Sequence, residues 1–141
     1  MEIRLRATLP SLGSQQPEVD GPQIEVGWSD EFSPGVSSVY LNIRSYRRAT
    51  EPPLGSVNLR VSFDGGTGET SLSGAQDVQN WHTYKIEWTA ATATLYLDGA
   101  WLTTETANVP TGVSLPFRLR VTSRSNFSVS VNVDRVTLVE P

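Results

Sequence analysis

Hydrophobic and polar residues alternate along most of this chain, as in Val39, Leu41 and Ile43 interleaved with Tyr40, Asn42 and Arg44. Successive side chains of a strand point to opposite faces, so this period of two marks strands with one buried and one polar side. No window sustains the i, i+3, i+4, i+7 repeat of an amphipathic helix. The pattern predicts strands over Ile3 to Thr8, Gln23 to Trp28, Ser38 to Tyr46, Val57 to Phe63, His82 to Thr89, Thr92 to Leu97, Trp101 to Ala107, Phe117 to Ser123 and Ser128 to Val139. Between them lie turn-forming clusters such as Ser33-Pro34-Gly35, Glu51-Pro52-Pro53 and Asp64-Gly65-Gly66-Thr67-Gly68. Asp98-Gly99, between Leu97 and Ala100, tolerates the positive φ angles of a two-residue hairpin turn.

Many short strands with one apolar face each predict an all-β fold, an antiparallel β-sandwich of two packed sheets. Parity assigns to its core Ile24, Val26, Trp28, Val39, Leu41, Ile43, Val57, Leu59, Val61, Phe63, Tyr84, Ile86, Trp88, Phe117, Leu119, Val121, Val136 and Leu138. The chain of 141 residues is the size of one domain, with no internal repeat and no long linker, so residues 1–141 are expected to fold as a single unit.

Composition narrows the chemistry. A formal net charge of -4 lacks the basic field that a nucleic-acid surface needs. There is no cysteine, hence no disulfide framework, no thiolate metal site and no thiol nucleophile, and a single histidine, His82, rules out a multi-histidine metal centre. No segment reaches the roughly 18 apolar residues of a membrane span, and the opening MEIRLRATLP has no apolar leader core. His82 has no serine or aspartate at a telling spacing and is expected to be structural. Asn126-Phe127-Ser128 fits a glycosylation sequon, a triplet that chance produces often.

Trp81-His82-Thr83-Tyr84-Lys85-Ile86-Glu87-Trp88, then Thr94-Leu95-Tyr96-Leu97-Asp98-Gly99 and Ala107-Asn108-Val109-Pro110, resembles glycoside hydrolase family 16, of the concanavalin A-like (jelly-roll) sandwiches. In that family an "FHTY…W" strand leads into a "YVDG" hairpin and an "ANIP" turn. Arg4-Leu5-Arg6-Ala7-Thr8-Leu9-Pro10 is similar to its "EARAKLP" strand, and Val131-Asn132-Val133-Asp134-Arg135-Val136 to its closing "VDYVRV". The resemblance runs in order through the chain. It implies that the strand at Gln23-Ile24-Glu25-Val26-Gly27-Trp28 stands where the family carries nucleophile, helper and general acid/base as alternate carboxylates.

On that alignment Gln23 replaces the nucleophile, Glu25 the helper, and Gly27 or Trp28 the acid/base. None of Gln23, Gly27 and Trp28 can attack an anomeric carbon as a carboxylate or protonate a leaving group, so family-type catalysis is expected to be absent. Asp30 and Glu31 lie just beyond and would substitute only if the register slipped. The polar face of the next strand, Tyr40, Asn42, Arg44 and Tyr46, is a candidate saccharide surface, because sugar rings offer C–H patches for aromatic packing and hydroxyls for hydrogen bonding. Arg60, Arg118 and Arg120 fall on non-core faces; the resemblance implies that Arg118 and Arg120 lie on the concave side, where together with Arg44 they would favour an anionic saccharide or a carboxylate-bearing partner, cross-strand pairing with nearby acids being the commoner alternative. Trp101, just past the hairpin turn, is a further stacking candidate, partial burial being the commoner alternative for such an indole.

The resemblance also implies an extracellular or cell-surface location. It leaves room for a structural calcium at Asp134, with no other cofactor expected. Family members have further strands before the "EARAKLP" strand, so a second copy or a domain of a parent protein is expected to cover the edges those strands protect. The combined expectation is a non-catalytic carbohydrate-binding or adhesion module whose partner is a polysaccharide or glycan. The alternatives are a glycoside hydrolase with displaced carboxylates and a structural, protein-binding sandwich.

Overall fold

The computed structural model describes residues 1–9, 22–32, 36–45, 54–63, 66–71, 76–123 and 128–139. Tyr46 and Asn126, both singled out in the sequence, lie outside the described residues, as do Pro34, Gly35, the Pro52-Pro53 turn and Asp64-Gly65. All of the described regular structure is β. The strands are β1 (Glu2–Thr8), β2 (Gln23–Ser29), β3 (Ser38–Ser45), β4 (Leu54–Phe63), β5 (Gly66–Ser71), β6 (Gln76–Asp77), β7 (His82–Trp88), β8 (Ala93–Leu97), β9 (Ala100–Glu105), β10 (Phe117–Thr122) and β11 (Ser130–Thr137).

They form two antiparallel sheets packed face to face. One sheet has five strands in the order β11-β1-β7-β8-β9; the other has six, β10-β2-β3-β4-β5 with β6 beside β4. β10 and β11 are therefore edge strands, one in each sheet. The core between the sheets is built by alternate residues: Ile24, Val26, Val39, Leu41, Ile43, Val57, Leu59 and Val61 from one side, Tyr84 and Ile86 from the other, all buried as parity predicts. Ile3, Leu5, Ala7, Ala93 and Leu95 join them, which the parity list omitted. Trp28, Trp88 and Phe117 pack against this core while partly exposed. The two indoles meet at 5.5 Å between ring centres, and the Trp88 Nε1–H donates to the Pro110 carbonyl at 2.9 Å, fixing the strand to the chain that returns past it.

Two expectations are corrected. Leu119, Val121, Val136 and Leu138 are not core residues; each is 40% exposed or more. Their parity is right, since Leu119 pairs with buried Val26 and Val136 with buried Ile3, but among the described residues no strand pairs with the outer side of β10 or β11 to close over them. The stretch from Gly66 is also not merely a turn: Gly66–Ser71 forms β5. Its glycines permit close packing, because a Cβ on Gly66 would lie 2.2 Å from the Asn108 side chain and one on Gly68 2.9 Å from Val61.

The Asp98-Gly99 hairpin is as predicted, with φ of 50° at Asp98 and 83° at Gly99. Asp98 also ties the turn to β7, its Oδ1 accepting from the Thr83 backbone N–H at 2.8 Å and its Oδ2 lying 2.6 Å from His82 Nδ1. Burial alone would raise the Asp98 pKa, but the Thr83 N–H and the His82 ring more than offset it and hold the carboxyl below its ordinary value. His82 thus has an aspartate partner after all, supplied by a strand pairing that sequence spacing does not reveal.

Candidate functional site

The outward face of the six-stranded sheet is laid down in rows by strand register. One row runs Thr122, Gln23, Arg44; the next Arg120, Glu25, Asn42, Asn58; the next Arg118, Gly27, Tyr40, Arg60. Alternation that sends Ile24, Val26, Leu41 and Ile43 inward sends all of these outward, so the predicted group Gln23, Glu25, Gly27, Tyr40, Asn42, Arg44, Arg118 and Arg120 does share one face.

The middle of that face is far less exposed than an ordinary solvated sheet. Glu25, Asn42 and Asn58 are buried, and Tyr40 is 5% exposed. Phe32, on the segment after β2, folds back so that its ring lies 4.9 Å from that of Tyr40, and the Arg120 guanidinium sits over the Phe32 ring, 5.1 Å from its centre. Burial pushes the Tyr40 hydroxyl pKa up, only partly opposed by a hydrogen bond with Arg60. Tyr40 is therefore a wall of the site rather than an open stacking platform. Gln23, Arg44, Arg118 and Arg120 retain contact with solvent and form its accessible rim.

The polar atoms are tied to one another. Glu25 Oε2 accepts from Arg120 Nε at 2.5 Å, and an Arg120 Nη–H donates to the Phe32 carbonyl. Asn42 Nδ2 donates to Gln23 Oε1 at 3.2 Å, and Arg44 Nε donates to Asn42 Oδ1 at 2.5 Å. A buried carboxylate needs such a partner, and Arg120 supplies a full charge beside it. Ser29 is buried at the end of β2 and its hydroxyl donates to the Glu31 carbonyl at 2.6 Å, while Asp30 and Glu31 are exposed.

Gly27 is where chain packing excludes a side chain. Its φ is 155°, and a Cβ there would fall 2.3 Å from the Val39 carbonyl oxygen and 2.6 Å from the Tyr40 Cα. The opposing atoms are backbone, so nothing can swing aside. Trp28, the other position aligned with the acid/base, points inward onto Trp88. Along β2, the amide of Gln23, the ion-paired Glu25 and the bare backbone of Gly27 leave no pair of facing carboxylates.

Two other predicted residues lie elsewhere. Trp101 does not join the group: it sits on β9 of the five-stranded sheet, opposite Tyr96, 63% exposed, with its Nε1–H donating to Thr104 Oγ1 at 3.1 Å. Asp134, expected where a calcium ligand could sit, is on β11 and pairs with Arg4 at 2.7 Å. Among the described residues no group of three or more His, Cys, Asp or Glu gathers as a metal site, and no helix is long and apolar enough to cross a membrane. Sequence reasoning missed Phe32 and Asn58. Asn58 was within reach of the alternation argument; Phe32 lies beyond the strand, where parity says nothing.

No family model matches the sequence, and no curated protein does. Among solved structures, the fold is similar to apo Crh5 transglycosylase, with a TM-score of 0.51 and 22% identity over 85% of this chain and 45% of that one. It is likewise similar to Crh5 transglycosylase in complex with NAG, with a TM-score of 0.52 and 20% identity over 85% of this chain and 46% of that one. The chain thus spans less than half of these proteins, and at this identity the likeness is one of fold: a two-sheet sandwich of the kind that the resemblance to glycoside hydrolase family 16 implied.

Proposed function

We propose that this chain is a non-catalytic saccharide-binding module, and that it holds its ligand on the outward face of the six-stranded sheet, at the rim formed by Gln23, Arg44, Arg118 and Arg120. The observation that carries this reading is the state of β2. A retaining glycosidase needs two carboxyl groups about 5 Å apart, one ionised to attack and one protonated to donate. Here the positions aligned with those roles hold an amide bonded to Asn42 and a glycine without room for a Cβ, and the carboxylate between them is neutralised by Arg120.

What remains is suited to recognition. Guanidinium and amide groups present fixed donors to sugar hydroxyls or to an anionic substituent, and buried Asn42, bonded to Gln23 and Arg44, and buried Glu25, bonded to Arg120, hold them in place before a ligand arrives. The supporting likeness to glycan-acting structures extends only to the sandwich itself.

The test is a glycan-array screen of the wild-type chain with neutral β-glucans, chitin-type oligosaccharides, galactans and acidic algal polysaccharides, every hit being assayed for hydrolysis and transfer products. Binding without product, weakened roughly tenfold in Arg44→Ala and Arg118→Gln and unchanged in Trp101→Ala, is the expected outcome. Shortened or lengthened products would assign the chain to the enzymes, with carboxylates outside β2. A blank array would favour a protein-binding sandwich.

A further inference from the structure

Among the described residues, no strand covers the side of the sandwich that the two edge strands β10 and β11 share. Their inward rows are apolar and exposed: Leu119 and Val121 on β10, Val133 and Val136 on β11, with Leu138, also exposed, just past its end. Between them opens a cavity of about 720 Å³ lined in part by Trp28, Trp88, Leu115, Phe117 and Leu138. Edges are protected by prolines, inward-pointing charges or bulges; the inward positions of β11 carry neither proline nor charge, and its one bulge narrows the partners that the strand admits.

β11 has a further property. Its pairing with β1 contains a bulge: Arg4 lies opposite Arg135 and Leu5 opposite Val133, so Asp134 is the extra residue. Val131, Val133 and Val136 stand opposite the buried Ala7, Leu5 and Ile3 and face inward; Asn132, Arg135 and Thr137 stand opposite Arg6, Arg4 and Glu2 and face outward. Asp134 is on the outward side, where it pairs with Arg4. From Asn132 to Thr137 the order is out, in, out, out, in, out, which reads the same in both directions about the bond between Asp134 and Arg135.

An antiparallel strand meeting its own copy across a two-fold axis pairs residues that must share a face. With strict alternation many registers meet that condition. With this bulge, one register centred on the strand does: Val133 against Val136 of the mate, Asn132 against Thr137, and Asp134 against Arg135 twice over. The charges are complementary as well as the faces. We infer that β11 is a self-pairing edge, through which two copies of this chain join their five-stranded sheets into one continuous sheet about an axis between Asp134 and Arg135. The same rotation turns the open β10 edge of each copy toward that of the other, so the apolar rows on both sheets lose solvent together.

Sedimentation velocity over a concentration series up to roughly 100 µM tests this, since even a micromolar association is filled there. The wild type is expected to be a dimer. Asp134→Arg and Arg135→Asp each place like charges in contact twice, and each alone is expected to weaken the dimer roughly tenfold or more. Mixed in equal amounts, the two variants restore both opposite-charge contacts and are expected to form a one-to-one heterodimer with near wild-type affinity. Circular dichroism and thermal melts of each variant alone separate loss of the dimer from loss of the fold; the surface pairs they break, Arg4 with Asp134 and Arg135 with Glu2, are exposed and of small worth. A wild type that stays monomeric throughout overturns the inference, as does a dimer indifferent to both substitutions or a mixture that fails to re-associate.

Discussion

Gly27 and Glu25, two positions apart on one strand, show how single residues decide what this face can do. A side chain at Gly27 would drive its first carbon into the β3 backbone, at 2.3 Å from the Val39 oxygen. Gly27→Ala is therefore expected to destabilise the fold by roughly 2 kcal/mol or more in a denaturant titration, and Gly27→Glu to disturb the pairing of β2 with β3 without conferring hydrolysis. At Glu25 the constraint is electrostatic. Removing Arg120 strands a carboxylate that is 1% exposed. Arg120→Gln should cost about 3 kcal/mol by the same titration, whereas the double change Glu25→Gln with Arg120→Gln should recover much of that loss, because no buried charge is left unpaired. If the double variant is as unstable as the single one, the pair matters through packing on Phe32 rather than through charge.

At the scale of elements, the β8 to β9 hairpin joins local turn chemistry to tertiary structure. Asp98 must adopt a positive φ and also accept from Thr83 and His82. Asp98→Asn keeps the turn preference and one acceptor, while Asp98→Ala loses both, so Ala should cost about 1 to 2 kcal/mol and Asn distinctly less in thermal or chemical unfolding. Because folding lowers the Asp98 pKa from its ordinary 3.8, its contribution is fully present above that value and is lost as pH falls through the lower folded value. Wild type and Asp98→Asn should thus differ in stability near neutral pH and converge in strong acid.

The same scale explains what sequence could reveal. Alternation placed every core residue of β3 and of β4 from Val57 to Val61 correctly, because those strands are flanked on both sides and an inward residue there has nowhere else to go. It misjudged Leu119, Val121, Val136 and Leu138, since parity names a face and not the neighbour that closes it. Asp64-Gly65-Gly66-Thr67-Gly68 looked like pure turn because its glycines signal flexibility, whereas Gly66 and Gly68 serve close packing within β5.

For the whole molecule, two polar surfaces back onto one core. The outward face of the six-stranded sheet holds two hydrogen-bonded groups, Gln23 with Asn42 and Arg44, and Glu25 with Arg120. The opposite sheet carries Trp101, Tyr96, Lys85 and Glu87, with the Tyr96 hydroxyl donating to Glu87 at 3.0 Å. The grouping of the first surface was legible in the sequence, since period and strand order suffice to line up one row of side chains. Its closure by Phe32 was not, because that depends on how the chain leaves β2. The separation of Trp101 from the rest depends on which sheet each strand joins, which alternation does not encode.

The measurement that bears most directly on a binding role without catalysis is a calorimetric titration with the strongest oligosaccharide from the glycan array, followed by mass spectrometry of that same sample after prolonged incubation. A saturable heat with the oligosaccharide recovered intact is the predicted result, with the heat diminished in Arg44→Ala. Cleaved or extended oligosaccharide in the wild-type sample would contradict the account by showing that carboxylates away from β2 perform the chemistry its residues lack.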